Sequence, residues 1–173
     1  MITMFSSPKP FRSDINTIQR NAIKSWTLLT PTPEIILMGN EEGTAKISKE
    51  FGIQHIADVK KNEFGTPLVN DLFAKAEKAA RNPLMCYVNT DIILMSDFLP
   101  SIHMTYREQP GSLIVGRRWD LDVSEPLDFS NRRSSHQIFL QDPIPYLKYI
   151  RVAYMLYLYL QTPRIFFFPL QYP

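Results

Sequence analysis

The sequence predicts an α/β fold, a mostly parallel sheet with flanking helices, and two observations predict it. Short apolar runs alternate along the chain with stretches of helical periodicity, the order taken by strands and right-handed crossover helices in a parallel sheet. The runs are also continuous rather than alternating apolar and polar, as strands covered on both faces require. At 173 residues, with 45% hydrophobic and 21% charged, the chain suffices for one domain with a sizeable core and is too short for two ordinary ones.

Residues 2–5 form the first expected strand, stopped by Ser6-Ser7-Pro8-Lys9-Pro10. Ile15, Ile18, Ala22, Trp26 and Leu29 then share one helical face, with Ser13 or Asp14 as the expected cap and Pro31 and Pro33 as the stop. Residues 34–39 are the second strand, residues 40–43 its exit loop, and Thr44–Phe51 a short helix before Gly52. Residues 53–56 make the third strand. After the loop 62–65, Thr66 reads as an N-cap and Pro67 as a first helical residue. Leu68, Leu72, Phe73, Ala76, Ala79 and Ala80 give that helix its apolar stripe. A strand at 84–88, a helix around 97–107 and a fifth strand at 112–115 complete the pattern.

The tail has a different composition. All 6 glycines lie at or before Gly116, and residues 139–173 are rich in aromatics and proline with a single acid, Asp142. The apolar run 152–160 falls well short of the roughly 20 residues that span a bilayer. It reads either as a helix packed on the core or as a terminal segment unrelated to the preceding domain. Its aromatic, weakly basic character also leaves a membrane-surface segment as a third and less favoured reading.

Composition excludes several classes. A net charge of +2 gives no global pull toward nucleic acid. One cysteine, Cys86, permits neither an intrachain disulfide nor a zinc cluster, and it suits a reducing, cytoplasmic interior. No signal peptide is expected at the N-terminus. His55 and His103 stand alone, without metal-ligand spacing, and core or surface roles are expected for them. The absence of a Walker loop, GxGxxG, GxSxG or HExxH argues against P-loop enzymes, Rossmann oxidoreductases, serine hydrolases and zincins.

In an open parallel sheet, ligands bind beyond the carboxyl ends of the strands. Those ends deliver Ser6, Ser7 and Lys9, then Asn40, Glu41 and Glu42, then Asp58, Asn62 and Glu63, then Asn89, Thr90 and Asp91, then Arg117, Arg118, Trp119, Asp120 and Asp122. Carboxylates and guanidiniums suit a divalent metal and an anionic ligand. Asp91, just past an apolar strand, is placed to hold a hard cation that bridges phosphate oxygens. The plain alternative is that Asn89-Thr90-Asp91 only turns the chain. Adjacent Arg117 and Arg118 match a diphosphate and the Trp119 indole a ring, although local pairing with Asp120 or Asp122 would explain the charges equally well. Glu41-Glu42 fits a charged helix-opening turn, and Arg132, Arg133 and His136 a basic surface.

Taken in order, these pieces resemble the family 2-like nucleotide-diphospho-sugar transferases of glycosyltransferase A-type fold. The resemblance covers residues 1–122 as a nucleotide-sugar-binding domain, followed by an atypical tail at 123–173. It rests on the exit Ser6-Ser7-Pro8, the acids after the second strand, the segment Asn62-Glu63-Phe64-Gly65-Thr66-Pro67, and above all Tyr87-Val88-Asn89-Thr90-Asp91-Ile92-Ile93-Leu94. It implies sugar transfer from a nucleotide-diphospho-sugar donor to an unidentified acceptor, with Mg2+ or Mn2+ held by Asp91. It also implies that Ser6, Glu41 and Asn62 lie near the nucleoside, and Arg117 or Asp120 near the sugar-phosphate. Asn89 stands where the family's Asp-X-Asp motif has its first acid, which lowers the negative charge at the metal by one. The family also needs a second half with a general base. Here Glu125, Asp128, His136 and Asp142 follow without recognisable spacing, so a truncated module that binds donor without turnover is the alternative. A sugar-phosphate nucleotidyltransferase ranks third, because residues 6–12 lack the glycine-rich loop it needs.

Overall fold

The computed structural model describes residues 1–121, 123, 125–130 and 150–159. In chain order the elements are β1 (Ile2–Ser6), α1 (Ser13–Thr27), β2 (Glu34–Met38), α2 (Thr44–Phe51), β3 (Gln54–Ile56), α3 (Val69–Ala79), β4 (Leu84–Tyr87), β5 (Ile92–Ile93), α4 (Phe98–Glu108), β6 (Ser112–Leu121) and β7 (Ile150–Tyr159). The first four strands form a parallel sheet ordered β3-β2-β1-β4. The protein is therefore α/β, with helices on both faces of a parallel sheet.

Alternation along each strand sorts side chains onto the two faces. Ile2 and Met4 of β1, Ile35 and Leu37 of β2, and Leu84 and Cys86 of β4 join one core cluster with Ala22, Ile23 and Trp26 of α1, Ile47 of α2, and Phe98, Leu99 and Ile102 of α4. Phe5, Ile36 and Met38 point the other way, against Leu72 and Ala76 of α3, with Phe73 and Tyr87 packed alongside. The runs of β1, β2 and β4 are largely apolar because both of their faces are covered, whereas the edge strand β3 is polar and partly exposed. The chain steps outward through β1, β2 and β3 over one face, then returns through α3 on the opposite face to set β4 on the far side of β1. Reversing the direction of travel while keeping right-handed crossovers requires that change of face.

Several expectations are corrected. Neither Ser13 nor Asp14 caps α1; Arg12 holds the cap position, and both predicted caps lie inside the first turn. The loop before the helix is anchored instead, through the Phe11 amide on the Glu42 carbonyl and the Arg12–Glu42 ion pair, and the helix begins where that anchor ends. Ile15 is exposed, and Ile23 takes its place in the core. Thr66 and Pro67 do not open α3. Pro67 bridges Lys61, Leu68 donates its amide to the Lys60 carbonyl, and residues 60–68 close a small hairpin before the helix starts at Val69.

The largest correction concerns the fifth predicted strand. It does not join the parallel sheet. β6 is ten residues long and lies in a second sheet ordered β5-β7-β6, antiparallel to β7 along its whole length. The apolar run near the C-terminus is thus a strand, and the helix reading of it is overturned. β-branched and aromatic residues such as Val152, Tyr154 and Tyr157 suit a pleated ladder. Residues after β6 also touch the domain: Asn21 donates its side-chain amide to the Glu125 carbonyl and accepts the Leu127 amide, and Val123 is buried. Among the described residues no helix is long and apolar enough to cross a membrane.

Candidate functional site at the switch point

The strand order reverses between β1 and β4, so the crevice beyond their carboxyl ends is the topological switch point, where open α/β sheets bind ligands. β1 ends on Ser6 and runs into Ser7; β4 ends on Tyr87 and runs into Asn89-Thr90-Asp91. The Val88 amide still donates to the Phe5 carbonyl, at 3.2 Å, so the two strand ends remain laced together to their last residue. One step farther, the buried hydroxyls of Ser6 and Thr90 meet at 2.6 Å.

Asn89-Thr90-Asp91 turns the chain, as the plain reading of the tripeptide expects. The Ile92 amide donates to the Asn89 carbonyl at 3.1 Å, and β5 begins at once. Helix α1 holds the segment that follows: Trp26 donates its indole N–H to the Ile92 carbonyl at 2.8 Å, and the Ser25 hydroxyl accepts the Leu94 amide at 3.0 Å. Asp91 is half-buried and stands in sequence between Thr90, which meets Ser6, and the 92–94 segment that α1 holds. Burial, and after it the charge of Asp91, pushes the Tyr87 phenol above its ordinary pKa, which keeps that hydroxyl protonated and able to donate.

Ser7 adds a second feature. Its Oγ is buried and makes no hydrogen bond to a described residue. Gly39 lies beside it, at φ +103, and a Cβ there would stand 3.7 Å from the hydroxyl. The Gly39 backbone is itself held, its N–H by the Ile56 carbonyl and its carbonyl by His55 Nε2, each at 2.8 Å. A buried hydroxyl without a partner is costly unless a ligand or water completes it. Thr44 and Ser48 of α2 likewise bury hydroxyls that have no hydrogen-bond partner among the described residues.

The other predicted residues are placed less centrally. Glu41 pairs with Lys61, which ties the exit of β2 to the 60–68 hairpin. Glu42 pairs with Arg12, and Asp58 with Lys75, so Glu41, Glu42 and Asp58 are each met by a cation, while Glu63 is exposed. Asn62 spends its carboxamide oxygen on its own loop, accepting the amides of Phe64 and Thr66 at 3.0 and 2.9 Å. Arg117 and Asp120 do not lie in a loop beyond a strand. They are inside β6, opposite Tyr154 and Arg151, because the strand runs six residues past its predicted end. Asp122, Arg132, Arg133, His136 and Asp142 lie outside the described residues. Glu125 is exposed, and Asp128 accepts from the Ser130 amide and hydroxyl. Cys86 is fully buried, and burial pushes its thiol up, away from the reactive thiolate.

The sequence offers Ser7 and Thr90 only as strand-end residues and Tyr87 only within the segment that carries the resemblance, none with a role of its own. Their signal is spatial, since Ser6 and Thr90 are 84 residues apart. Among the described residues no group of three or more His, Cys, Asp or Glu side chains comes together. A cation enclosed by protein ligands alone does not fit these residues. Asp91 and Asn89 offer one carboxylate and one amide, a donor set that would suit only a cation completing its shell with ligand oxygens and water. A scan against models of known protein families and a search of characterised proteins both return no match.

Proposed function

We propose that the switch-point crevice binds a nucleotide-diphospho-sugar, with Mg2+ or Mn2+ held between the Asp91 carboxylate and the donor's diphosphate, for transfer of the sugar to an acceptor. The observation that carries this reading is the contact of Ser6 with Thr90, which brings the exits of β1 and β4 together at the switch point where open parallel sheets receive ligands. The cation would neutralise diphosphate charge and orient the leaving group. Ser7 would donate its hydroxyl to the ligand, and Asn89 would offer an amide where a second acid is absent. On this reading the finer glycosyltransferase A-type identity and the cytoplasmic setting go together with donor binding.

A second reading, donor binding without turnover, is favoured by one observation. Glu41, Glu42 and Asp58 are all ion-paired, which leaves them poorly placed to act as a general base.

Thermal unfolding with a nucleoside diphosphate and Mn2+ tests the binding step. Saturating ligand is expected to stabilise the protein by about 2–3 kcal/mol at a hundredfold excess over Kd. The effect should require the metal and vanish in Asp91→Ala. Absence of any shift at millimolar ligand and metal sinks both readings. Slow, Asp91-dependent release of sugar from the donor would separate the enzyme from the binding module.

A further inference from the structure

A groove of about 550 Å³ opens at the other end of the sheet, beside the first residues of β1 and β4. Its lining is Met1, Pro83 and Leu84 on one side and His103, Tyr106 and Arg107 of α4 on the other. The volume lies within the range of small-molecule sites, and the mixture of apolar surface with a few polar groups is theirs also. His103 and Arg107 are one helical turn apart, so they stand on the same face of α4. The Tyr106 ring packs against the core cluster, which fixes that part of the wall.

Charge decides what the groove fits. Four arginines have described side chains. Arg12 pairs with Glu42, Arg20 with Glu50 and Arg81 with Glu34, whereas Arg107 has no acidic partner among the described residues. Among the described residues no carboxylate lines the groove either. A guanidinium with no acidic partner among the described residues, lining the same groove as an imidazole and a phenol, offers hydrogen-bond donors to an anion. The apolar side then suits a ring or a short hydrocarbon body.

We propose that this groove is a binding site for a small organic anion, its carboxylate or phosphate held by Arg107 and His103 and its apolar body laid against Met1, Pro83 and Leu84. The site is separate from the switch point, at the opposite ends of the same strands, and does not depend on the function proposed there.

The test is a titration of the whole protein followed by NMR of the histidine ring protons, with phenyl phosphate, benzoate and inorganic phosphate as probes. His103→Gln assigns the resonance. A saturable shift of the His103 signal is expected with a ring-bearing anion, and the two such probes separate phosphate from carboxylate preference. Inorganic phosphate, lacking the body, should bind about tenfold more weakly. Arg107→Gln should weaken binding about tenfold or more, with Arg107→Lys in between, because a lysine supplies charge without the planar fork. Arg107 is exposed, so both variants are expected to keep the parent fold, checked by far-UV circular dichroism. No saturable shift up to about 10 mM with any probe, or equal binding by Arg107→Gln, overturns the proposal.

Discussion

The two ends of the parallel sheet treat buried polar groups in opposite ways. At the amino end, Glu34 opens β2 with its side chain only 4% exposed, yet it is surrounded by donors. The Thr3 hydroxyl reaches it at 2.5 Å, the Arg81 amide at 2.8 Å and the Arg81 guanidinium at 2.5 Å, with the Asn82 amide at the edge of range. One carboxylate thereby joins β1, β2 and the turn into β4. At the carboxyl end, Ser6 and Thr90 satisfy one another, but the neighbouring Ser7 hydroxyl is buried without a described partner. A completed network is what stability selects, and a buried donor left incomplete costs stability. The difference separates polar groups that hold the sheet together from a hydroxyl that the described residues leave incomplete.

The comparison can be broken most easily at Glu34. Glu34→Ala should cost about 2–3 kcal/mol, chiefly because the Thr3 hydroxyl and Arg81 amide lose their acceptor; the Arg81 side chain, 79% exposed, is solvated and adds little. Chemical denaturation of the two proteins measures it. A loss below about 0.5 kcal/mol would show that the network is ornamental.

Acid gives a second test at the same place. Burial by itself would raise the Glu34 pKa, but the Thr3 and Arg81 hydrogen bonds and the Arg81 charge outweigh it and hold the group below its ordinary value. The unfolded chain therefore binds the proton more readily than the folded one. The stabilisation is complete above the unfolded pKa, about 4.3, and is lost as pH falls through the lower folded value. Between pH 5 and pH 3 the parent should lose more stability than Glu34→Gln, measured as the change in unfolding free energy. Parallel losses would count against the shift.

The carboxyl end predicts a contrast between adjacent serines. Ser6→Ala leaves the buried Thr90 hydroxyl unpaired and should cost about 1–2 kcal/mol. Ser7→Ala removes a hydroxyl that has no described partner, so stability should stay within about 0.5 kcal/mol of the parent or rise slightly. If Ser7 serves a ligand, the same substitution should weaken the nucleoside-diphosphate thermal shift. A large loss of stability in Ser7→Ala with no effect on that shift would reassign Ser7 to the scaffold.

Much of the first 110 residues was legible in the sequence because their signals are local. A run as short as Glu34–Met38, apolar and bounded by Pro33 and Gly39, reads as a strand buried on both faces, and the periodicity of Ala22, Trp26 and Leu29 carries its own evidence of a helix against a core. Glycine at position 52 marked the end of α2 because a left-handed residue costs least there, and the helix does end on it. Boundaries failed where a neighbour offered the backbone a better hydrogen bond. Thr66 and Pro67 have the residues of a helix start, but Asn62 and the Lys60 carbonyl bind that stretch into a hairpin first.

The site was legible only in outline. Ser6, Asn89 and Asp91 could be listed as strand-end residues, and the fold brings the ends of β1 and β4 together. Residues 89–91 are a turn in the structure, so the plain reading and the functional one describe the same atoms. Arg117 and Asp120 were misplaced because the end of β6 is decided by its pairing with β7, where Leu121 lies opposite Ile150.

By itself, then, the sequence determined which segments are strands and helices through most of the domain, and that the strands β1, β2 and β4 are covered on both faces. Composition and periodicity act over a few residues, and they are sufficient for that. Which strand lies beside which, where the order reverses, and which hydroxyls meet across 84 residues were decided by tertiary structure alone. Those outcomes depend on the handedness of crossovers and on competition among distant hydrogen-bond partners, and neither is written in any single stretch of chain.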